Sequence, residues 1–369
     1  MDDPFRFSDE LGPLKLVHIW RPGVALKAVV AIDNVACGPA IGGVRMAPDV
    51  STEEAFRLAR AMTLKNAAAG LPHGGGKSVI FGDPKMPAAD KERLIRAFAS
   101  AIADLADYIP GPDMGTDEVA MGWIRDETGR AVGLPRELGG IPLDEIGATG
   151  FGLVCAIEVA AERLGLPLAG ARVVTQGFGS VGTHAARFLA EKGAVLVGAS
   201  DTQGTLADEN GLDVAALIAL KAEGRSLRDH PGGKQLDGDA IIDIPCDIWI
   251  PAARPDVIDA GNVARLHTQL VAQGANIPCT PEAEAALAER GVLVLPDFIA
   301  NAGGVICAAI EYQGGSESDA FAAIAEKIRG NTRAMLDRVA GGGLLPRAAA
   351  IGLAKSRIER AMQTRRWDH

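Results

Sequence analysis

Two lysines and an aspartate stand in settings unusual for solvated charges. Lys65 lies among Met62, Leu64 and the alanines 67–69, which do not make a charged helix face. Lys77 follows Gly74-Gly75-Gly76 and precedes the apolar run Ser78-Val79-Ile80-Phe81. A lone lysine is ordinarily a surface charge. Here the three glycines would let the backbone pass close to a ligand and leave Lys77 projecting into a cavity. Two lysines facing one pocket disfavour each other's protonation, so one becomes a usable base while the other pairs with a substrate carboxylate. Asp113 lies in Gly111-Pro112-Asp113-Met114-Gly115-Thr116, a rigid loop suited to holding one carboxylate, although an ordinary turn aspartate fits the same pattern. His73 borders the glycine run and reads as shaping the loop. No His/Cys/Asp/Glu grouping has metal-ligand spacing, so no metal is expected.

A second constellation points to a dinucleotide. Gly177-Phe178-Gly179-Ser180-Val181-Gly182 follows the apolar run 173–175 and opens an amphipathic segment, 184–192. The first glycine permits the tight turn, the second admits the pyrophosphate, and the third allows close helix–strand packing at an anion-stabilising helix N-terminus. Asp201 lies 19 residues after Gly182, where a carboxylate would accept the ribose 2′-hydroxyl and repel a 2′-phosphate. NAD is therefore the expected cofactor, with NADP left open.

Positioning these groups takes two domains, because single cores rarely grow far past about 250–300 residues and the chain has 369. Short apolar runs at 14–19, 25–32 and 41–46 read as strands. Ser51 and Glu54 form a capping box before a helix ending near Gly70, and a second helical pattern covers 90–108 before a turn at 109–113. Farther on, runs at 173–175, 195–199, 248–250, 270–272 and 292–295 alternate mostly with helical patterns, as in a parallel sheet with crossover helices. Two terminal helices, 319–339 and 346–363, are expected to pack on the first domain. The division is residues 1–140 with 340–369, and 141–339.

Composition narrows the class. The formal charge of −10 argues against nucleic acid or an anionic membrane as partner. Five scattered cysteines without a CxxC pair suggest neither a disulfide scaffold nor a zinc ribbon. The start Met1-Asp2-Asp3-Pro4 lacks the pattern of a signal peptide, and the apolar stretch 146–161 is short, broken by glycine and carries Glu158. A reducing cytoplasm fits best.

At these residues the chain resembles the glutamate/leucine/phenylalanine/valine dehydrogenases. The matching segments are Gly42-Gly43-Val44-Arg45, Met62-Thr63-Leu64-Lys65-Asn66, Gly74-Gly75-Gly76-Lys77 and Pro112-Asp113-Met114-Gly115-Thr116. Ala148-Thr149-Gly150, the Gly177 loop, Gly274-Ala275-Asn276 and Asn301-Ala302-Gly303-Gly304-Val305 follow in order. The resemblance implies an N-terminal α/β substrate domain and a Rossmann-type, doubly wound dinucleotide domain with a cleft between them. It also implies reversible oxidative deamination of an L-amino acid to a 2-oxo acid and ammonia, in a homo-oligomer (dimer, hexamer or octamer). Carried over, Lys65 binds the α-carboxylate near Gly42 and Gly43, Lys77 is the base that activates water, and Asp113 shuttles protons at the amino nitrogen. Asn276 and Asn301 help position nicotinamide and substrate, Thr149 contacts the carboxamide, and Ala252 joins the cofactor contacts.

Two departures bear on the substrate. Glutamate-specific members resemble this chain but carry a lysine before the Gly-Gly pair and a serine in the helix after Asn-Ala-Gly-Gly. Ile41 and Ala308 stand there in this sequence. With Val305 they would make an apolar pocket, in which a γ-carboxylate costs several kcal/mol. The expectation is leucine, valine or phenylalanine as substrate, closest to the members of that type, with small Gly111 and Ala308 leaving room for an aromatic ring. A glutamate dehydrogenase with a rearranged pocket and a silent NAD-binding regulator remain the alternatives.

Overall fold

The computed structural model describes residue 3 and residues 5–365. Residues 1, 2, 4 and 366–369, which hold the terminal reading and the ends of the expected first domain, lie outside the described residues. The backbone divides into two compact units. The first comprises Met1–Pro142, Val305–Ala320 and Ile351–His369, the second Leu143–Gly304 and Phe321–Ala350.

The first unit contains β1 (Lys15–Arg21), β2 (Leu26–Asn34), β3 (Ala40–Ala47), α1 (Thr52–Ala68), β4 (Gly74–Phe81), α2 (Ala88–Ala101), β5 (Tyr108–Pro112) and α3 (Glu118–Thr128). Its sheet runs β1-β2-β4-β3-β5. The pairs β1–β2 and β2–β4 are antiparallel, and β3 is parallel to both β4 and β5. Ser51 caps α1 by accepting the Glu54 N–H at 3.1 Å, as expected from the capping-box pattern. Ala55 and Ala59 of α1 pack on Val29, Ala31 and Val79, one face of the sheet. The other face buries Val30, Ile32, Met46 and Ile80 against Ile95 and Phe98 of α2 and Met121 and Ile124 of α3.

Two sequence expectations are corrected here. The glycines 74–76, read as part of a loop, are the buried start of β4. A Cβ on Gly75 would strike the Thr63 amide and the Ala59 carbonyl of α1, and one on Gly76 would strike the Tyr108 ring. The run therefore exists so that a helix can lie directly on the strand that carries Lys77. Residues 108–112, read as a helix end and turn, form strand β5. This strand lies at the sheet edge, where prolines cost no ladder hydrogen bond, which is why a Pro-Gly-Pro sequence can be extended there. Helix α3 went unseen in the sequence.

The second unit contains α4 (Ala148–Leu164), β6 (Arg172–Gln176), α5 (Ser180–Ala190), β7 (Val195–Asp201), β8 (Gly204–Ala207), α6 (Val214–Ala222), β9 (Lys234–Leu236), β10 (Ile248–Pro251), β11 (Leu270–Ala272), α7 (Pro281–Glu289), β12 (Leu293–Leu295) and α8 (Asp297–Ala300). Strand order is β12-β11-β10-β6-β7-β8-β9. Strands β6, β7, β10, β11 and β12 run parallel, as the alternating pattern predicts, but β8 and β9 extend the sheet antiparallel. From β6 the chain goes to β7 on one side and later returns to β10 on the other. This makes a topological switch point beside the Gly177 turn.

The terminal helices are α9 (Gly303–Tyr312), α10 (Glu317–Gly342) and α11 (Pro346–Thr364). The division between units differs from the sequence reading: residues 305–320 group with the first unit, and 340–350 with the second. Most of α10 also belongs to the second unit, where Arg329 donates to Glu158 at 2.7 Å and Phe321 meets the Phe151 ring edge-on. The later part of α11 packs in the first unit, with Arg357 donating to the carbonyls of Ala67 and Ala68 at 2.8 and 2.6 Å. Among the described residues no helix is long and apolar enough to cross a membrane.

Candidate active site

In the first unit Lys77 and Asp113 form a direct ion pair, the lysine side chain 8% exposed and the aspartate 21%. Strand β3 lies between β4, which carries Lys77, and β5, which ends just before Asp113, and the pair can meet across it because its residue there is Gly43. A Cβ on Gly43 would stand 2.7 Å from the Asp113 Cβ and 3.1 Å from the Lys77 Nζ. Gly42 is equally constrained, since its Cβ would strike the Gly76 carbonyl. Asp113 is held by its own loop: its N–H donates to Thr116 Oγ1 at 3.1 Å, and that hydroxyl donates to the Val44 carbonyl at 2.7 Å.

Arg45, three residues past Gly42, was given no role from the sequence. Its Nε donates to Asp113 Oδ2 at 3.1 Å, and its Nη1 donates to Glu54 Oε1 at 2.6 Å. Burial pushes the Lys77 pKa below its ordinary value, Asp113 opposes that shift, and Arg45 adds to it. Burial also pushes Asp113 upward, but Lys77 and Arg45 hold its carboxyl below the usual range. The pair thus combines a weakly basic lysine with a carboxylate that stays ionised. Lys65 sits half-buried in the last turn of α1. The next residue, Asn66, donates to the Gly74 carbonyl at 2.7 Å and ties that helix end to the strand of Lys77. His73 is buried, with Nδ1 3.1 Å from the Pro39 carbonyl oxygen and its ring edge-on to Tyr312.

Ile41 and Ala308 meet in one buried cluster that also contains Ile109 and Val132, two residues the sequence did not single out. Val305 lies one helical turn before Ala308 on α9 and is half-buried. The room expected beside Gly111 is partly taken, because a Val132 methyl stands 3.0 Å from where a Gly111 Cβ would be.

In the second unit the dinucleotide fingerprint is fully formed. Gly177 has φ +94°, and its Cβ would lie 2.8 Å from the Ala252 carbonyl carbon, so Ala252 borders the loop at the switch point. Gly179 precedes α5 with open space around it, and a Cβ on Gly182 would strike the Gly177 carbonyl. The first turn of α5 holds no acidic residue, which leaves its N–H groups and dipole for an anion. Phe178 is buried, so any cofactor contact there is through its backbone. Ser180 is exposed at the start of α5 and Val181 follows it. This cradle, which any larger residue would fill, fits a pyrophosphate.

Asp201 ends β7 as the fingerprint requires, yet its carboxylate is already engaged. It accepts from Lys221 Nζ at 3.1 Å, the Leu227 N–H at 2.9 Å, Ser226 Oγ at 3.1 Å and the Gln203 N–H at 2.9 Å. The sequence argument for NAD assumed an uncompensated carboxylate. With Lys221 beside it, the repulsion of a 2′-phosphate is offset. Asn301 is buried and donates to Asn276 Oδ1 at 3.0 Å, so these two expected residues stand together at the end of β11. Thr149 is the second residue of α4, and a Cβ on Gly304 would lie 3.1 Å from its hydroxyl.

A glycine-cradled dinucleotide site on a doubly wound sheet, and a lysine–carboxylate pair in a second α/β unit, define a two-domain dehydrogenase. Residues 139–366 match the family model for Glutamate/Leucine/Phenylalanine/Valine dehydrogenase, and residues 22–130 match that for the Glu/Leu/Phe/Val dehydrogenase dimerisation domain. The chain belongs to this family and is an NAD(P)-dependent amino acid dehydrogenase acting on a CH–NH2 group. It is 38% identical over 358 residues to a glutamate dehydrogenase of Aeropyrum pernix, covering 90% of this chain and 85% of that one. It is 35% identical over 377 residues to an NADP-specific glutamate dehydrogenase of Saccharolobus shibatae, covering 96% and 86%.

Among solved structures it is similar to the hetero-hexameric glutamate dehydrogenase of Thermus thermophilus in its leucine-bound form. That match has a TM-score of 0.83 at 32% identity and covers 95% of this chain and 89% of that one. It is also similar to the L-tryptophan dehydrogenase of Nostoc punctiforme, with a TM-score of 0.76 at 27% identity, covering 95% and 97%. The curated relatives named here are glutamate enzymes, so the narrower lean toward a leucine, phenylalanine or valine type draws no support from their names.

Proposed function

We propose that this enzyme reversibly deaminates L-amino acids with apolar side chains to the 2-oxo acid and ammonia, using NAD or NADP. The observation that carries this reading is the apolar cluster of Ile41, Ile109, Val132 and Ala308. A side-chain carboxylate set against it would be desolvated without a cation, at a cost of several kcal/mol. That one solved relative is named a tryptophan dehydrogenase supports the same choice, while the glutamate names of other relatives favour the rival reading.

In this reading Lys65 binds the α-carboxylate. A bound nicotinamide would supply the hydride acceptor for Cα, so that the substrate reaches the iminium level. Lys77, whose hold on a proton burial weakens, takes a proton from the water that attacks the iminium carbon once it has given up its own. Asp113, ionised beside Lys77, carries protons to and from the departing nitrogen. Asn276, Asn301 and Thr149 position the nicotinamide, and the Gly177–Gly182 loop with Ala252 holds the pyrophosphate. The family's dimerisation domain and the hetero-hexameric relative support an oligomer, read here as one of identical chains.

The test is reduced-cofactor formation at alkaline pH over a panel of L-amino acids with each cofactor. Leucine, valine or phenylalanine should be oxidised well and glutamate poorly, and Lys77→Ala should lower turnover by roughly 10²–10⁴-fold. Glutamate as the best substrate would refute the apolar reading.

A further inference from the structure

Glu311 lies on α9 one helical turn beyond Ala308, and its residue is only 7% exposed. Its carboxylate accepts three backbone N–H groups: Oε1 from Gly133 at 2.7 Å and Leu134 at 3.1 Å, and Oε2 from Ile141 at 2.8 Å. All three donors belong to the connection after α3, which has only a short 3-10 turn of its own, Arg136–Leu138. A segment with so little regular structure has few ways to satisfy buried amides, and one carboxylate satisfies three at once; burial raises the Glu311 pKa and these three N–H groups oppose that shift.

The residue before Gly133 is Val132, the wall residue absent from the sequence reading. Its N–H donates to the Pro110 carbonyl on β5 at 2.9 Å, and its side chain packs with Ile41, Ile109 and Ala308. Val132 is therefore fixed on one side by the edge strand and on the other, through Gly133, by Glu311. The helix that carries Glu311 also carries Val305 and Ala308.

We propose that Glu311 is the positioning residue of the side-chain pocket: by clamping the Val132 segment to α9, it sets the spacing between Val132 and Ala308. This rests on the reading of that cluster as the wall met by the substrate side chain. A carboxylate suits the task because it only accepts; an amide would turn an NH2 against one of the three N–H groups, and the segment would shift.

The test is Glu311→Gln, assayed with the best substrate of the wild-type enzyme and with the smallest amino acid it oxidises. The large substrate should lose about tenfold or more in kcat/KM, mainly through KM, and the small one under about threefold, because a displaced wall acts only on a side chain that reaches it. KM for the cofactor should stay unchanged. Val132→Ala leaves the clamp intact, should reproduce the same size-dependent loss, and serves if Glu311→Gln fails to fold. Equal losses for large and small substrates in either variant would overturn the proposal. A wild-type preference for glutamate would refute the apolar reading alone, since the same comparison of glutamate with the smallest substrate still decides the role of Glu311.

Discussion

The chemistry proposed for this enzyme concentrates on one ion pair, Lys77 with Asp113. Lys77 is a base only when it has lost its proton, and burial moves that loss below the ordinary lysine value of 10.5. Below its pKa the lysine is protonated and cannot take a proton from water. The kcat/KM for deamination should therefore rise with pH on a limb whose midpoint lies below 10.5, in a pH–rate profile of the wild-type enzyme. A midpoint at or above the ordinary lysine value would show that Lys77 is not the group observed. Lys77 and Asp113 stand out in the sequence because charged residues next to glycines and apolar runs are rare. Arg45 and Glu54, which complete the charge balance, do not, since an arginine and a helix-start glutamate look like ordinary surface residues.

At the scale of elements, glycines decide how closely the pieces approach. Gly75→Ala should force α1 off β4, because the new Cβ would overlap the Thr63 amide and Ala59 carbonyl; overpacking of this kind costs about 1–3 kcal/mol. Gly330, inside α10 with nothing within 4 Å of its Cβ, provides the contrast, and Gly330→Ala should stabilise by about 0.5–1 kcal/mol. Thermal denaturation of the two variants should thus move in opposite directions. Local signals were readable where one element carries its own information: the Ser51 cap, the Gly177 turn, and the five parallel strands of the second unit. They failed where a neighbour decides. Tyr108–Pro112 is a strand only because β3 offers it an edge. Val132 and Glu311 matter only because residues far apart in the chain are brought together by α9.

At the scale of the molecule, one unit supplies the charged pair and the apolar wall, the other a glycine cradle for a dinucleotide. The family could be read from motifs spread from Gly42 to Val305, and the comparisons confirm it. Cofactor choice was less legible. Asp201 sits where a ribose acceptor belongs, but its occupation by Lys221, Ser226 and Leu227 depends on the last turn of α6 and the segment after it, which no motif announces.

Substrate choice is the central claim, and one measurement tests it most directly. The ratio of kcat/KM for leucine to that for glutamate would be determined in the wild-type enzyme and in an Ile41→Lys, Ala308→Ser double variant. The wild-type ratio should lie well above one, and the variant's should fall by about 100-fold or more, because a cation and a hydroxyl would then meet the γ-carboxylate. A wild-type enzyme that already prefers glutamate, or a ratio unmoved by the two substitutions, would contradict the assignment of that wall to the substrate side chain.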